Sequence, residues 1–449
     1  MSILDIWFRS QYRPKFALVA WYTLWKLLLI CIALLSPGPG YDTSTTLLHT
    51  NPRLLGTTTE SRWDLSARLN NLVRWDAIYF LEIARRGYSW EQEWAFGWGF
   101  AKFIALASKG LAIIGLSNVD GNEAAAGIVI SHVFHLLSVL MLHELTLVVY
   151  PALSASKRSK LALLAASLHI ISPAGMFLSA PYAESCFSFL NFTGFYVYTN
   201  TVGSHHQNHV VWRDVSIIFA GLIFGLATTF RGNGLFSGLV LVYDALDCLI
   251  KILQSAEIIK NSRRLLVVCI SGILMALIAG LPQYLAYREY CGNKSAYGPV
   301  RPWCLNWVPS IFAWVQNKYW GVGLLTYWTL SNVPLFILAA PMLYILLQSG
   351  SWTRNYDKNI DNDIAYRIAI PQIILAALAL ISYHVQIVTR LASGYPVWYW
   401  WLASLIIDDG NASILGRKSR PTDIITKWMV LYAIVQGGLF ASFLPPCLK

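Results

Sequence analysis

The chain has 449 residues, 56% of them hydrophobic and 13% charged, and carries a formal net charge of +11. A charged fraction about half that of a soluble domain excludes a water-soluble enzyme. The excess Lys and Arg lie between apolar runs instead of forming one basic stripe, which argues against a nucleic-acid partner.

Crossing roughly 30 Å of hydrocarbon takes about 20 residues of helix, and apolar runs of that length recur from one end of the sequence to the other. We expect one integral all-α, polytopic membrane domain over 1–449, with eleven spans near 16–36, 124–150, 161–180, 183–200, 214–230, 234–253, 265–287, 323–347, 366–388, 395–408 and 427–445. The first run follows Arg9, Arg13 and Lys15 but lacks a small-x-small cleavage site, so it reads as a retained anchor. The segment 99–117 is apolar yet carries Lys102 and Lys109, and reads as either a twelfth span or a helix lying in the interface.

Loop charge separates the two. With eleven spans, Lys157, Arg158 and Lys160, then Lys251, Lys260, Arg263 and Arg264, then Arg417, Lys418 and Arg420 all share the N-terminal side. That is the positive-inside pattern, so the N-terminus is expected in the cytosol and the C-terminus in the lumen. The first lumenal loop, 37–123, with its surface helices, the turns near Pro181, Arg231 and Arg390, and a second large loop, 288–322, then occupy one face. Acids, arginines and tryptophans concentrated on one face mark it as the candidate site.

In chain order, the first chemistry-bearing stretch runs from Arg74-Trp75-Asp76 to Tyr88, with Glu91 beyond it. Its apolar spacing fits a short surface helix with Asp76 at or near the start. Sugar transfer from a phosphate to a hydroxyl needs a base for the acceptor proton and cations for the departing phosphate. Asp76 suits the first task, with Glu91 in reserve; a plain helix cap is the competing reading of Asp76, and a solvated surface acid that of Glu91. The turn around Pro181 holds Tyr182 and Glu184 near the lumenal surface, Glu184 being either an acceptor for sugar hydroxyls or half of an ion pair with a nearby arginine. Thr229-Phe230-Arg231-Gly232-Asn233-Gly234 interrupts an apolar run with a charge and two glycines. Arg231 is either a bidentate phosphate ligand or an interfacial anchor.

Further on, Trp303, Gln316, Tyr319 and Trp320 mix rings with polar groups, as sugar platforms and aromatic belts both do. Cys291 and Cys304 share that loop and fit either a bridge in an oxidising lumen or two free thiols. His384 and Arg390 lie near one lumenal end, followed by Tyr399 and Trp400; a buried, satisfied histidine is the commoner fate of a lone His. Asp361-Asn362-Asp363 has the spacing of a metal-binding DxD, and His205, His206 and His209 that of a metal site, but both fall in polar loops expected in the cytosol. No Walker loop or GxGxxG cradle occurs.

These motifs, in this order, resemble the GPI mannosyltransferase II family, the PIG-V type. Trp75-Asp76-Ala77 through Phe80, Ile83-Ala84, Gly87-Tyr88, Glu91 and Ala95-Phe96 carry the resemblance, as do Ser172-Pro173-Ala174, Arg231 to Gly234, Pro302-Trp303-Cys304, Tyr319-Trp320, His384-Val385-Gln386, Thr389-Arg390, Pro396 and Tyr399-Trp400. Two departures stand out: Gly232 replaces a usual serine, and Gly97-Trp98-Gly99-Phe100-Ala101 replaces a proline-bearing run.

The resemblance implies a GT-C type glycosyltransferase of the endoplasmic reticulum membrane. It would use dolichyl-phosphate mannose, with no cofactor, to add the second mannose of the GPI precursor through an inverted, α-1,6 bond. It further implies Asp76 as base, Glu91 as reserve, and Arg231, His384 and Arg390 at the dolichyl phosphate. Trp75, Tyr182, Glu184, Asn233 and the aromatics of 303–320 and 395–401 would line the donor and acceptor path. Some members need a small membrane accessory subunit. Two other readings are another GT-C lipid-phosphate-sugar transferase, or a lipid or solute transporter, which would show the paired repeats this sequence lacks.

Overall fold

The computed structural model describes residues 14–36, 70–113, 122–202, 210–292, 301–356, 363–413 and 421–442. Regular structure among them is helical. The helices are α1 (Pro14–Leu35), α2 (Asp76–Arg86), α3 (Trp98–Ile113), α4 (Asn122–Val149), α5 (Ala155–Ile170), α6 (Glu184–Val202), α7 (Val210–Phe230), α8 (Leu239–Leu253), α9 (Ile258–Cys291), α10 (Ile311–Lys318), α11 (Val333–Tyr356), α12 (Asp363–Ile381), α13 (Val388–Leu391), α14 (Val397–Ser413) and α15 (Pro421–Ala441). Among the described residues seven helices, α1, α4, α7, α9, α11, α12 and α15, are long and apolar enough to cross a membrane. Each of the other four expected spans overlaps a further helix, α5, α6, α8 or α14.

Prolines and glycines explain where the helices depart from the expected bounds. Proline at the first turn is tolerated because its missing N–H would be unpaired there anyway. Pro14, Pro334 and Pro421 sit at such positions, and Pro396 immediately precedes α14. The span expected at 323–347 therefore begins as helix only at Val333. The span expected at 161–180 stops at Ile170, because a residue before proline avoids the helical region and Pro173 follows closely. Residues 171–183 run instead as turns and a short 3-10 segment, Gly175–Leu178. In the run expected at 234–253 the first part is also 3-10, Gly232–Gly238, before α8 begins.

The irregular stretch 171–183 is sealed inside the bundle: Met176, Ser179, Ala180 and Tyr182 are all fully buried. Non-helical backbone is tolerated at such a place only if protein groups satisfy it. This corrects the expectation that Tyr182 and Glu184 lie at the surface, since Glu184 is fully buried too.

The described part of the ambiguous segment 99–117 lies in α3, which runs along the first half of α4 in the opposite sense. Ser108 bonds Glu123 at 3.2 Å, and Phe103 meets Phe134 edge-on at 5.4 Å. Its start packs on the end of α7, where a Cβ on Gly97 would collide with the Phe230 carbonyl and one on Gly99 with the Thr229 side chain.

Two apolar cores result. One gathers α1, α2, α3, the first part of α4, the 171–183 segment and α15; the other, larger, gathers α5 to α9 with α11, α12 and α14. At one end of the bundle, ion pairs join the helix ends that carry the basic clusters. Arg263 meets Asp214 at 2.7 Å and Arg264 meets Asp244 at 2.6 Å, while Arg367 bonds both Asp244 and Asp363. Asp363, the described residue of the DxD spacing, is thus engaged with Arg367; Asp361, Asn362 and His205, His206 and His209 lie outside the described residues.

Candidate active site

At the other end of α7, two carboxylates and two guanidinium groups from four distant segments meet. Asp76 is the first residue of α2, and Trp75, which holds the cap position before it, has φ 56° and ψ −126° with no side-chain cap bond. A positive φ at a bulky residue costs on the order of 1–3 kcal/mol and persists only where the surroundings enforce it. The Asp76 carboxylate reaches Arg390 Nη2 at 2.8 Å. Arg390 stands on the one-turn helix α13, and its Nε lies 3.4 Å from Glu184 Oε1. The same Glu184 oxygen accepts from Arg231 Nη1 at 2.5 Å. Two acids and two arginines cancel, as buried charges must.

Exposure distinguishes the acids. The Glu184 side chain is 1% exposed and that of Asp76 33%. Only Asp76 can be touched by a substrate without rearrangement, which leaves Glu184 as the fixed counter-charge for both arginines. Beneath Arg390 lie the rings of Phe177 and Tyr182, 5.1 and 5.6 Å from its central carbon, a cation–π floor. Burial opposes the Arg390 charge, but Asp76 and Glu184 outweigh it and hold the group above arginine's usual range. The Tyr182 hydroxyl donates to the Arg74 carbonyl at 2.9 Å, which ties the floor to the strained entry into α2.

Arg231 is aimed by its neighbours. Asn233 Nδ2 donates to the Tyr395 hydroxyl at 3.1 Å, which in turn donates to the Asn233 carbonyl at 3.0 Å. Gly234 lets this turn fold back on α7: a Cβ there would stand 2.8 Å from the Thr228 nitrogen. Among the described residues the Nε atoms of Arg231 and Arg390 make no hydrogen bond of good geometry, and both atoms are buried. Two guanidinium groups side by side suit an anion.

The remaining sequence-predicted residues fall into two other groups. Glu91 is a strut: Trp303 Nε1 donates to Oε1 at 3.1 Å, the Tyr319 hydroxyl to Oε2 at 3.3 Å, and Arg301 Nε approaches at 3.4 Å. It fastens the first loop to the 301–320 segment, which the Cys291–Cys304 disulfide closes. Gln316 is half-buried in that segment, while Trp320 packs edge-on against Phe96 and offers its carbonyl to His384 Nε2 at 2.8 Å. His384, stacked on Tyr327, therefore serves this segment instead of joining the arginine pair. Tyr399 and Trp400 are fully buried in the bundle, the first bonded to His169 and the Ser393 carbonyl, the second to Thr146.

A family model described as Mannosyltransferase (PIG-V) matches residues 15–447. The chain belongs to the PIG-V mannosyltransferase family. Among its relatives, "GPI mannosyltransferase 2" of Gibberella zeae is 41% identical over 99% of this chain and 100% of its own length, and that of Aspergillus oryzae is 40% identical over 95% and 94%. Among solved structures, an oligosaccharyltransferase of Archaeoglobus fulgidus overlays with a TM-score of 0.48 at 13% identity, covering 98% of this chain and 56% of that one.

The two departures from the family pattern have local explanations. At Gly232 an added Cβ would meet only the Phe312 ring, at 3.5 Å, so the usual serine fits there. Gly97 and Gly99 give the contact between α3 and α7 that a side chain would block. Sequence reasoning gave Tyr395 only as one of the aromatics of 395–401 and assigned Phe177 no role; only the fold brings the Phe177 ring under Arg390.

Proposed function

We propose that this mannosyltransferase takes mannose from dolichyl-phosphate mannose and adds it, as the second mannose and through an α-1,6 bond, to a glycosylphosphatidylinositol precursor at the lumenal face of the endoplasmic reticulum. Family membership, the names of the relatives and the motif order support the reaction class. The observation that carries the site is the Asp76–Arg390 pair, in which a helix-initial carboxylate meets a half-buried arginine from the far end of the chain.

In this reading the donor phosphate takes up Arg390 and Arg231, whose planar guanidinium groups suit its oxygens. Occupation of Arg390 releases the Asp76 carboxylate. Asp76 then accepts the proton of the attacking hydroxyl as that oxygen bonds to the anomeric carbon. The bond from this carbon to the phosphate oxygen breaks on the opposite side, and its electron pair stays on dolichyl phosphate. One displacement inverts the centre, and one base suffices. Glu184 keeps both guanidinium groups oriented throughout.

Two features support the lumenal placement. The 17 positions of α7 from Asp214 to Arg231 separate the basic end of the bundle from the acid–arginine cluster by about 26 Å, close to the hydrocarbon thickness. α9, which starts at the basic end, finishes at the disulfide-bonded Cys291 on the cluster's side, and disulfides persist in oxidising compartments. The test is a microsomal assay with labelled donor lipid. Conversion of the one-mannose to the two-mannose GPI intermediate supports the reading; label passing to any other acceptor overturns it.

A further inference from the structure

Lys26 stands in the middle of α1 and is only 3% exposed. Its ammonium donates to the Leu178 carbonyl at 2.7 Å and to the Ser179 hydroxyl at 2.8 Å. Among the described residues no carboxylate pairs with it. A lysine at the centre of a membrane helix is costly to insert, so an apolar residue would insert more readily. What the ammonium holds must account for its presence.

It holds the buried, non-helical segment 171–183. The Leu178 carbonyl has no helical partner and accepts from Lys26 and, at 3.2 Å, from the Ser185 hydroxyl. On the segment's other side the Met176 N–H donates to Gln436 Oε1 of α15 at 3.3 Å. The same segment supplies Phe177 and Tyr182 beneath Arg390 and ends at Glu184. We infer that Lys26 is a positioning residue for the acid–arginine cluster: by clamping Leu178 and Ser179 it keeps Glu184 and the ring floor in register with Arg231 and Arg390. The inference rests on the site assignment proposed above.

Lys26→Met is the test, because it nearly conserves volume and removes a charge from a membrane helix, so insertion is not an obstacle. Cys186, fully buried two residues after Glu184, reports on the segment through labelling by a membrane-permeant maleimide; Cys248, buried on α8, reports on the bundle at large. In Lys26→Met, kcat for mannosyl transfer falls about tenfold or more with KM little changed. Cys186 labels about tenfold faster while Cys248 keeps its wild-type rate, the signature of local opening. A Cys186 rate that does not change, or one that rises together with that of Cys248, overturns the inference. Faster Cys186 labelling with undiminished transfer keeps the clamp and overturns the active-site assignment instead.

Discussion

Asp76 keeps a third of its side chain accessible and Glu184 almost none, although both carboxylates end on Arg390. The difference predicts different phenotypes. Glu184→Gln leaves two buried guanidinium groups short of a counter-charge, which costs about 3–5 kcal/mol; purified protein should lose thermal stability together with activity. Arg390→Lys keeps a charge but not the planar fork that binds two phosphate oxygens. Its expected signature is a KM for the donor lipid raised about tenfold, equivalent to about 1.4 kcal/mol. At this scale the sequence was legible in part. It offered a cap and a base as equal readings of Asp76, because helix position is local information, whereas the contact Asp76 makes with Arg390 spans more than three hundred residues. For Glu91, too, the deciding facts were remote: Trp303 and Tyr319 occupy both its oxygens.

Among the elements, the turn after α7 shows how glycine positions divide by what surrounds them. Gly234 faces the backbone of Ala227 and Thr228, which cannot yield, whereas Gly232 faces only the edge of a ring. Gly232→Ser should therefore retain near-wild-type transfer, and Gly234→Ala should shift the Asn233–Tyr395 pair, disturb Arg231 and lower kcat at least tenfold in the same microsomal assay. The prolines at the starts of α1, α11 and α15, and the one before α14, lie in plain view in the sequence, yet the expected spans began elsewhere. What composition hid was the break after Ile170: residues 171–180 are as apolar as a helix interior, and only the fold shows them running as irregular chain held by a side-chain donor from α1 and a side-chain acceptor from α15.

Across the whole molecule, the first loop and the 301–320 segment are joined by Glu91 and closed by the Cys291–Cys304 bridge, 13 residues apart. In the chain-entropy account a loop of this size is worth about 3 kcal/mol. Cys304→Ser should lower the thermal midpoint and raise protease nicking between α9 and α10, with a smaller effect on transfer because the acid–arginine cluster lies on other elements. The sequence placed every polar segment of the cluster on one face through its loop charges, which is why most of the site residues were nameable from it. It did not show which of those residues would touch. His384, Tyr399 and Trp400 share that stretch of sequence with Arg390, yet they serve the 320 region and the buried core.

The account stands on Asp76 acting as a base once the donor's phosphate has claimed Arg390. Its most direct test is single-turnover mannosyl transfer by purified Asp76→Asn protein with saturating donor and acceptor lipids. A general base contributes about 10²–10⁴ in rate, so the account predicts a loss of that size with undiminished binding of the donor lipid and a smaller drop in melting temperature than Glu184→Gln shows. Transfer at the wild-type rate would contradict it.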